Sequence, residues 1–238
     1  MSKNRILFCF TYAGGTSAFY NQLEEELAEE VEVVKLEYAG HGDRHREKLA
    51  TSFEEVARDL YGTIQKILEE RDVETTYALM GYSMGSIAVV EMLRQIASVH
   101  GMKMPTHIFL AAHEPINKID FSGVPEEEID EYVKKRTVQF GGIPETLLNN
   151  RSFWRVYLPI YKADYMMIGA YDFDSLDYRT DIPATVFYSE TDTRFDDMKQ
   201  WKEYFTGKCE FIEYDGNHFF INEHCREMAS VIISRLEL

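Results

Sequence analysis

Three residues that are far apart in the chain could together form a nucleophilic serine site: Ser83, Asp192 and His218. A serine hydroxyl is a weak nucleophile at neutral pH, so it needs a base within hydrogen-bond reach and a third group that fixes the tautomer of that base. The chain order serine, acid, histidine is typical of a serine that lies on a strand-to-helix turn. The sequence therefore predicts acyl-transfer chemistry, provided that the fold brings these side chains together.

Ser83 lies in a G-x-S-x-G sequence, residues 81–85, with the features of a nucleophile elbow. A segment suited to a buried strand, centred on residues 77–80, runs directly into this motif, and residues 86–96 are predicted to form a helix. Glycines two before and two after the serine remove the Cβ atoms that would block so tight a turn. The turn also directs the backbone N–H of Met84 towards the space where an oxyanion would form. We therefore predict Ser83 as the nucleophile and Met84 as an oxyanion donor.

The base must follow the acid in the chain, and of the seven histidines only His218 and His224 come late enough. His218 lies in a glycine-containing loop just past the last predicted strand, whereas His224 falls within the predicted final helix. In parallel α/β sheets, sites lie at the carboxyl ends of the strands. We therefore predict His218 as the base. His113 is interpreted as a polar wall of the pocket.

The acid is predicted to be Asp192, which follows the predicted strand 184–188 by four residues. Asp196 and Asp197 are alternatives, but they are expected at the start of the next helix. Asp215 is a further alternative, but it follows its own strand too closely to reach the base.

A second oxyanion donor is expected from the loop after the first strand, residues 11–16, with the sequence TYAGGT. Elbow hydrolases take this donor from the loop that leads out of a neighbouring strand. The Ala13 amide is the favoured donor and the Tyr12 amide the alternative. The loop could also be a glycine turn that only allows the next helix to pack closely.

The elements around these residues alternate between strand and helix, which predicts an α/β fold with a mainly parallel central sheet flanked by helices. Buried strands are predicted at residues 5–10, 32–36, 77–80, 106–112, 184–188 and 210–214. We expect one domain, residues 1–238, with an insertion at 115–180 that holds helices at about 125–140, 144–149 and 152–171. Because this insertion is rich in aromatic residues, it is interpreted as a lid over the pocket. The alternative is a helical subdomain whose aromatic side chains only pack on the core.

Composition narrows the function further. The chain has 238 residues, is 45% hydrophobic and carries a formal charge of −16, which disfavours binding to nucleic acid or to an anionic membrane surface. The apolar run 6–10 is too short for a signal peptide, so a cytoplasmic protein is expected. An acidic partner would need a local basic cluster, and 44–46 and 134–136 are the candidates, although both could be ordinary solvated surface.

Metal and redox chemistry are not expected. The three cysteines, Cys9, Cys209 and Cys225, are odd in number and lack C-x-x-C spacing, which favours reduced, packed thiols over a disulfide framework or a zinc site. His41 and His45 are four residues apart but have no obvious third ligand. The sequence therefore predicts no cofactor.

Several stretches together resemble the type II thioesterases that accompany nonribosomal peptide and polyketide synthases, which are related to the medium-chain fatty-acyl thioesterase of fatty acid synthesis. The matching stretches span nearly the whole chain in the same order. They are ILFCFTYAGGTSAFY (6–20), EYAGHGDR (37–44), MGYSMGSIAVVEMLR (80–94), FGGIPETLL and YKADYMMIGAYDF in the insertion, TVFYSETD (185–192), and Trp201 with YDGNHFFI (214–221).

The resemblance implies an α/β-hydrolase fold, a Ser83, Asp192 and His218 triad, and an oxyanion hole made by the Ala13 and Met84 amides. It also implies an editing hydrolase that removes acyl groups from the phosphopantetheine arm of acyl or peptidyl carrier domains. Such an enzyme is expected to be a monomer without a cofactor of its own. The alternatives are a soluble carboxylesterase, a medium-chain fatty-acyl thioesterase and a catalytically silent module that binds a synthase.

Overall fold

The computed structural model describes residues 4–99, 101–116 and 119–237. The chain-end limits of the predicted domain, and residues 117 and 118 of the predicted insertion, lie outside these ranges. Among the described residues no helix is both long enough and apolar enough to span a bilayer.

The centre of the molecule is a parallel sheet of six strands among the described residues, in the order β2-β1-β3-β4-β5-β6. Three of its inner strands, β3, β4 and β5, are buried along nearly their whole length, as expected when helices cover both faces. The sequence predicted all six strands, with ends that differ by at most a few residues. They are β1 (Arg5–Phe10), β2 (Glu32–Lys35), β3 (Thr76–Tyr82), β4 (His107–Ala111), β5 (Ala184–Tyr188) and β6 (Cys209–Glu213).

Helices pack on both faces of this sheet. The α-helices are α1 (Asn21–Leu27), α2 (Phe53–Glu69), α3 (Met84–Ser98), α4 (Glu126–Phe140), α5 (Glu145–Leu148), α6 (Arg151–Ala170), α7 (Phe195–Met198) and α8 (Ile221–Leu236). One hydrophobic cluster joins α2 and α3 to one face, and a second joins α1 and α8 to the other. The sheet therefore lies in the middle of three layers, as predicted.

Helix α2 begins at residues 52–55, SFEE, whose sequence predicts a capping box. The Ser52 hydroxyl accepts a hydrogen bond from the Glu55 N–H, and the Glu55 carboxylate accepts one from the Thr51 N–H. The first contact satisfies a donor that the first turn of a helix would otherwise leave unpaired, and the second ties the residue before the N-cap to that turn. The start of α2 is thus fixed by its own side chains.

The first helix differs from its prediction. The sequence after the glycine-rich loop predicts a single helix that Ser17 caps and that reaches residue 29, but residues 17–20 form a 3-10 turn and α1 begins only at Asn21. The Ser17 hydroxyl instead donates to Glu37 Oε2 at 2.9 Å. The Ser17 side chain, which the local sequence predicts as a helix cap, is therefore hydrogen-bonded to Glu37 in the loop after β2 instead.

Helices α4, α5 and α6 lie in the connection between β4 and β5 and form the predicted insertion. They have a hydrophobic cluster of their own, in which Ile129 and Val133 of α4 pack with Tyr161 and Tyr165 of α6. Helix α4 ends at Gly141, which has a φ of 80° and so takes the left-handed conformation that glycine tolerates best. The insertion is thus a packed helical unit beside the sheet.

Candidate active site

Ser83 lies on the sharp turn between β3 and α3. Its φ of 53° and ψ of −120° are unusual for a residue with a side chain, and such strain persists only where the surrounding structure imposes it. A Cβ on Gly81 would lie 2.3 Å from the Gly85 carbonyl oxygen, and one on Gly85 would lie 2.1 Å from the carbonyl oxygen of Phe10. Both glycines are therefore required by close backbone packing, as the motif predicts.

A substitution at Gly85 tests how tightly this turn is built. We expect Gly85→Ala to lower the free energy of unfolding by about 3 kcal/mol, because the new methyl group meets the backbone of β1, which cannot move without disturbing the sheet. The measurement is equilibrium unfolding in guanidinium chloride.

The matched control is Gly62→Ala in α2, where an added Cβ would meet no atom within 4 Å. Alanine is the better helix former, so this variant is expected to gain up to about 1 kcal/mol. Equal stabilities for the two variants would contradict the close packing seen at Gly85.

The structure brings Ser83, His218 and Asp192 into one hydrogen-bonded chain. His218 Nε2 lies 2.9 Å from Ser83 Oγ, and His218 Nδ1 lies 2.8 Å from Asp192 Oδ2. The carboxylate can only accept, so Nδ1 carries the proton and Nε2 is left to accept from the serine hydroxyl. This is the arrangement that a serine nucleophile and its general base require.

Two further contacts hold His218 in place. The ring of Phe140, at the end of α4, stacks on the imidazole with centroids 4.0 Å apart. The Tyr82 hydroxyl donates to the His218 carbonyl oxygen at 2.8 Å. Tyr82 directly precedes the serine, so its hydroxyl ties the elbow to the loop that carries the base.

The loops that carry Asp192 and His218 are also joined to each other. The Ser189 hydroxyl donates to the Gly216 carbonyl oxygen at 2.6 Å, and the Thr191 hydroxyl donates to the same oxygen. The Asp192 N–H donates to the Ser189 carbonyl oxygen, which closes a tight turn after β5. Acid and base are therefore fixed relative to one another by hydrogen bonds other than their own.

The alternative residues lie elsewhere. Asp196 is in α7 and pairs with Lys199, as its predicted place at a helix start implies. Asp215 is 91% exposed and pairs with His224, so these two alternatives bond to each other and not to the serine. His113 lines the cavity, as predicted, with Nδ1 2.6 Å from the Glu114 carbonyl oxygen.

A cavity of about 310 Å³ opens from Ser83 and His218. Ala13 lines it on the side of β1, while most of the remaining wall comes from the insertion. Met84 is the first residue of α3, so its N–H lies in the helical turn whose amides lack partners within the helix. The two predicted oxyanion donors thus belong to segments that flank the serine, and their role stays a prediction.

One buried pair beside this cavity was missed by the sequence analysis. Asp164 of α6 is 1% exposed, and its Oδ2 accepts hydrogen bonds from the Gly14 N–H at 2.6 Å and from His41 Nε2 at 2.9 Å. The available signal was a carboxylate within the inward-facing stripe that contains Tyr161, Tyr165 and Ile168. His41 was considered only as a metal ligand.

No group of three or more metal-ligating side chains occurs in the ranges that the structure describes. The three cysteines are free thiols, as predicted. That the protein uses no cofactor stays a prediction.

Comparison with known proteins identifies the family of this chain. The family model described as "Thioesterase domain" matches residues 5–236. The chain belongs to the thioesterase domain family. It is accordingly a serine hydrolase that acts on thioesters, and its fold is the predicted α/β-hydrolase fold.

Relatives of this thioesterase come from both peptide and fatty acid synthesis. The gramicidin S biosynthesis protein GrsT of Aneurinibacillus migulanus is 25% identical, over 98% of this chain and 89% of that protein. The medium-chain S-acyl fatty acid synthase thioesterase of Rattus norvegicus is also 25% identical, over 90% of this chain and 81% of that protein. Among solved structures, ClbQ from the colibactin NRPS/PKS pathway is 26% identical with a TM-score of 0.83, covering 99% of this chain and 98% of its own.

Proposed function

We propose that this thioesterase is a type II, editing enzyme that hydrolyses acyl groups from the phosphopantetheine arm of carrier domains in a nonribosomal peptide or polyketide synthase. The observation that carries the proposal is the hydrogen-bonded chain of Ser83, His218 and Asp192, which lines a cavity walled in large part by the insertion. The similarity to GrsT and ClbQ over nearly the full chain supports the synthase context.

In the first half of the reaction, Ser83 Oγ attacks the thioester carbonyl carbon while His218 Nε2 takes the hydroxyl proton. The Asp192 carboxylate stabilises the imidazolium that forms. The carbonyl oxygen becomes an oxyanion between the Ala13 and Met84 amides. The carbon–sulfur bond then breaks as His218 returns the proton to sulfur, which leaves an acyl-serine.

In the second half, a water molecule takes the place of the thiol. His218 accepts a proton from this water, whose oxygen attacks the acyl-serine carbonyl carbon. The new tetrahedral intermediate collapses when His218 protonates Ser83 Oγ, which releases the carboxylic acid. No group outside this chain is needed beyond the substrate and water, so no cofactor is part of the proposal.

The basic cluster 134–136 is the better of the two candidates for meeting an acidic carrier. Arg44 of the other cluster already donates to both Glu47 and Asp59, so its charge is compensated locally. Arg136 instead lines the cavity, with its guanidinium 4.4 Å from the centre of the Phe140 ring. We further propose that the enzyme is monomeric and cytoplasmic, and that carriers dock on this side of α4.

We expect this enzyme to prefer thioesters over oxygen esters that carry the same acyl chain. A thiol with a pKa of about 8.5 leaves more readily than an alkoxide, so this step asks less of His218 as an acid. The expected preference in kcat/KM is at least about tenfold, which corresponds to about 1.4 kcal/mol of the barrier. Paired rate measurements on an acyl-carrier thioester and a matched oxygen ester provide the test.

Three alternatives have distinct outcomes. Equal or ester-favouring rates would point to a carboxylesterase. Rapid release of medium-chain fatty acids, with little action on acyl-loaded carriers in intact-mass assays, would point to a fatty-acyl thioesterase like the similar rat enzyme. A protein that a fluorophosphonate probe leaves unlabelled would be a silent binding module.

A further inference from the structure

The carboxylate of Asp164 connects the insertion to the loop that holds Ala13. Asp164 is in α6, 150 residues from Gly14, and its Oδ2 accepts the Gly14 N–H at 2.6 Å. This contact lies outside the Ser83, His218 and Asp192 chain, and Asp164 is almost completely buried. An ionisable side chain in such a place is costly unless it is paired and hydrogen-bonded.

His41, from the loop after β2, supplies the partner charge. His41 Nε2 lies 2.9 Å from Asp164 Oδ2, and His41 Nδ1 lies 3.1 Å from the Ala39 carbonyl oxygen. Both ring nitrogens face acceptors, so both carry protons and the pair is an imidazolium with a carboxylate. Burial alone would lower the pKa of His41, but the hydrogen bond to Asp164 and its charge raise it, and together with the Ala39 carbonyl and the Glu37 charge they outweigh burial.

The loop that is hydrogen-bonded to Asp164 forms a tight turn over residues 12–15. The Gly15 N–H donates to the Tyr12 carbonyl oxygen at 3.0 Å, and Gly14 has a φ of 71°. These features match a type II turn, in which glycine is favoured at the third position. The central peptide, between Ala13 and Gly14, could flip in such a turn, but its N–H is held by Asp164. The ring of Tyr161, also in α6, packs where a Gly14 side chain would be.

We propose that Asp164 and His41 are positioning residues that hold this turn so that the Ala13 N–H points at the oxyanion. The Ala13 N–H belongs to the peptide between Tyr12 and Ala13, whose carbonyl oxygen accepts from the Gly15 N–H. Asp164 holds the next peptide, so the turn stays closed and the direction of the Ala13 N–H is fixed with it. The oxyanion hole is then complete only when α6 is seated against the loop. The inference rests on the proposed role of the Ala13 amide.

The test compares two double variants that both remove the buried charges. Asp164→Ala with His41→Leu leaves no acceptor for the Gly14 N–H, whereas Asp164→Asn with His41→Gln keeps an amide oxygen there. The first should lower kcat by about 100-fold, as loss of an oxyanion donor does, with KM changed less than about threefold. The second should keep at least a tenth of wild-type kcat, so its activation barrier should lie within about 1.4 kcal/mol of the wild-type barrier.

Tyr171→Phe is the matched control. The Tyr171 hydroxyl donates to the buried carboxylate of Glu91 at 2.7 Å and so anchors the residue after α6 to α3, away from Gly14. If seating of α6 in general were responsible, this variant would lose kcat as the first double variant does. We expect it to keep wild-type kcat, with only its melting temperature lowered by the loss of one buried hydrogen bond.

The assay substrate is p-nitrophenyl butyrate, because any acyl transfer through Ser83 needs the same oxyanion hole. If the wild type hydrolysed p-nitrophenyl butyrate but not acyl-carriers, the proposed function would be overturned and this inference would stand. If it hydrolysed neither substrate, both the proposed function and this inference would be overturned. The Gly14 amide proton in ¹⁵N NMR spectra reports the contact directly and should move upfield only when the acceptor is lost. Unchanged kcat in a folded Asp164→Ala, His41→Leu variant would overturn the inference.

Discussion

Ser83→Ala is expected to lower the turnover of an acyl-carrier thioester by about six orders of magnitude, the largest effect of any single substitution in this protein. The variant keeps the cavity and the neighbouring backbone but removes the atom that attacks the thioester carbonyl. In the wild type His218 Nε2 lies 2.9 Å from Ser83 Oγ. Without that hydroxyl, His218 has no nucleophile to activate on the enzyme. Single-turnover measurements with intact-mass detection of the carrier give the rate.

Ser98→Ala is the control for this prediction. Ser98 is an exposed serine at the end of α3, and its hydroxyl donates only to the Gln95 carbonyl oxygen among its described contacts. This variant should keep wild-type turnover and labelling by a fluorophosphonate, whereas Ser83→Ala should lose both. The free energy of unfolding of Ser83→Ala should stay within about 1.5 kcal/mol of wild type, since one hydrogen bond is lost. Residual turnover above one per cent in that variant would refute the proposed nucleophile.

The inner part of the sheet was predictable because its strands are short, mostly apolar runs that the local sequence defines. β5, for example, is ATVFY between Pro183 and Ser189, and all of its side chains are buried. The elbow was predictable for a related reason, because its two glycines have no other explanation in a strand that runs directly into a helix. Local pattern and tertiary requirement agree at both places.

The start of α1 was not predictable in the same way. Ser17 has a side chain that commonly caps helices, but Glu37, twenty residues later, takes its hydroxyl and its backbone N–H. A contact between two loops at the same sheet edge thus overrides a local preference. Propensity does not contain such information, because it depends on which strands become neighbours.

The pair formed by Asp164 and His41 shows the same limit within the site. Each residue belongs to a different segment, and they are 123 positions apart. Asp164 interrupts an otherwise aromatic helical face, which is a signal that a carboxylate is buried there, but the sequence does not identify its partners. Catalytic triads are easier to predict because their order and placement recur in a known fold, whereas this contact depends on where α6 docks.

Asp192→Asn is expected to lower kcat by about four orders of magnitude while the protein folds normally. Asparagine has nearly the same shape, but its amide can present N–H groups to His218 Nδ1, where the carboxylate only accepts. The proton then moves to Nε2, and His218 can no longer accept the Ser83 proton. The developing imidazolium also loses the negative charge 2.8 Å away. Steady-state rates, together with the loss of a low-field Nδ1 proton resonance, measure both consequences.

The control is Asp215→Asn. Of the alternative acids that the sequence offers, Asp215 is the nearest to His218 in the chain. Asp215 is 91% exposed and pairs with His224, so its charge is in solvent and remote from His218 Nδ1. Wild-type kcat is therefore expected for this variant. If Asp215→Asn lost more activity than Asp192→Asn, the carboxylate that orients His218 during turnover would not be the one that contacts it in this structure. The assignment of the acid would then fail even though the hydrogen bond to Asp192 is present.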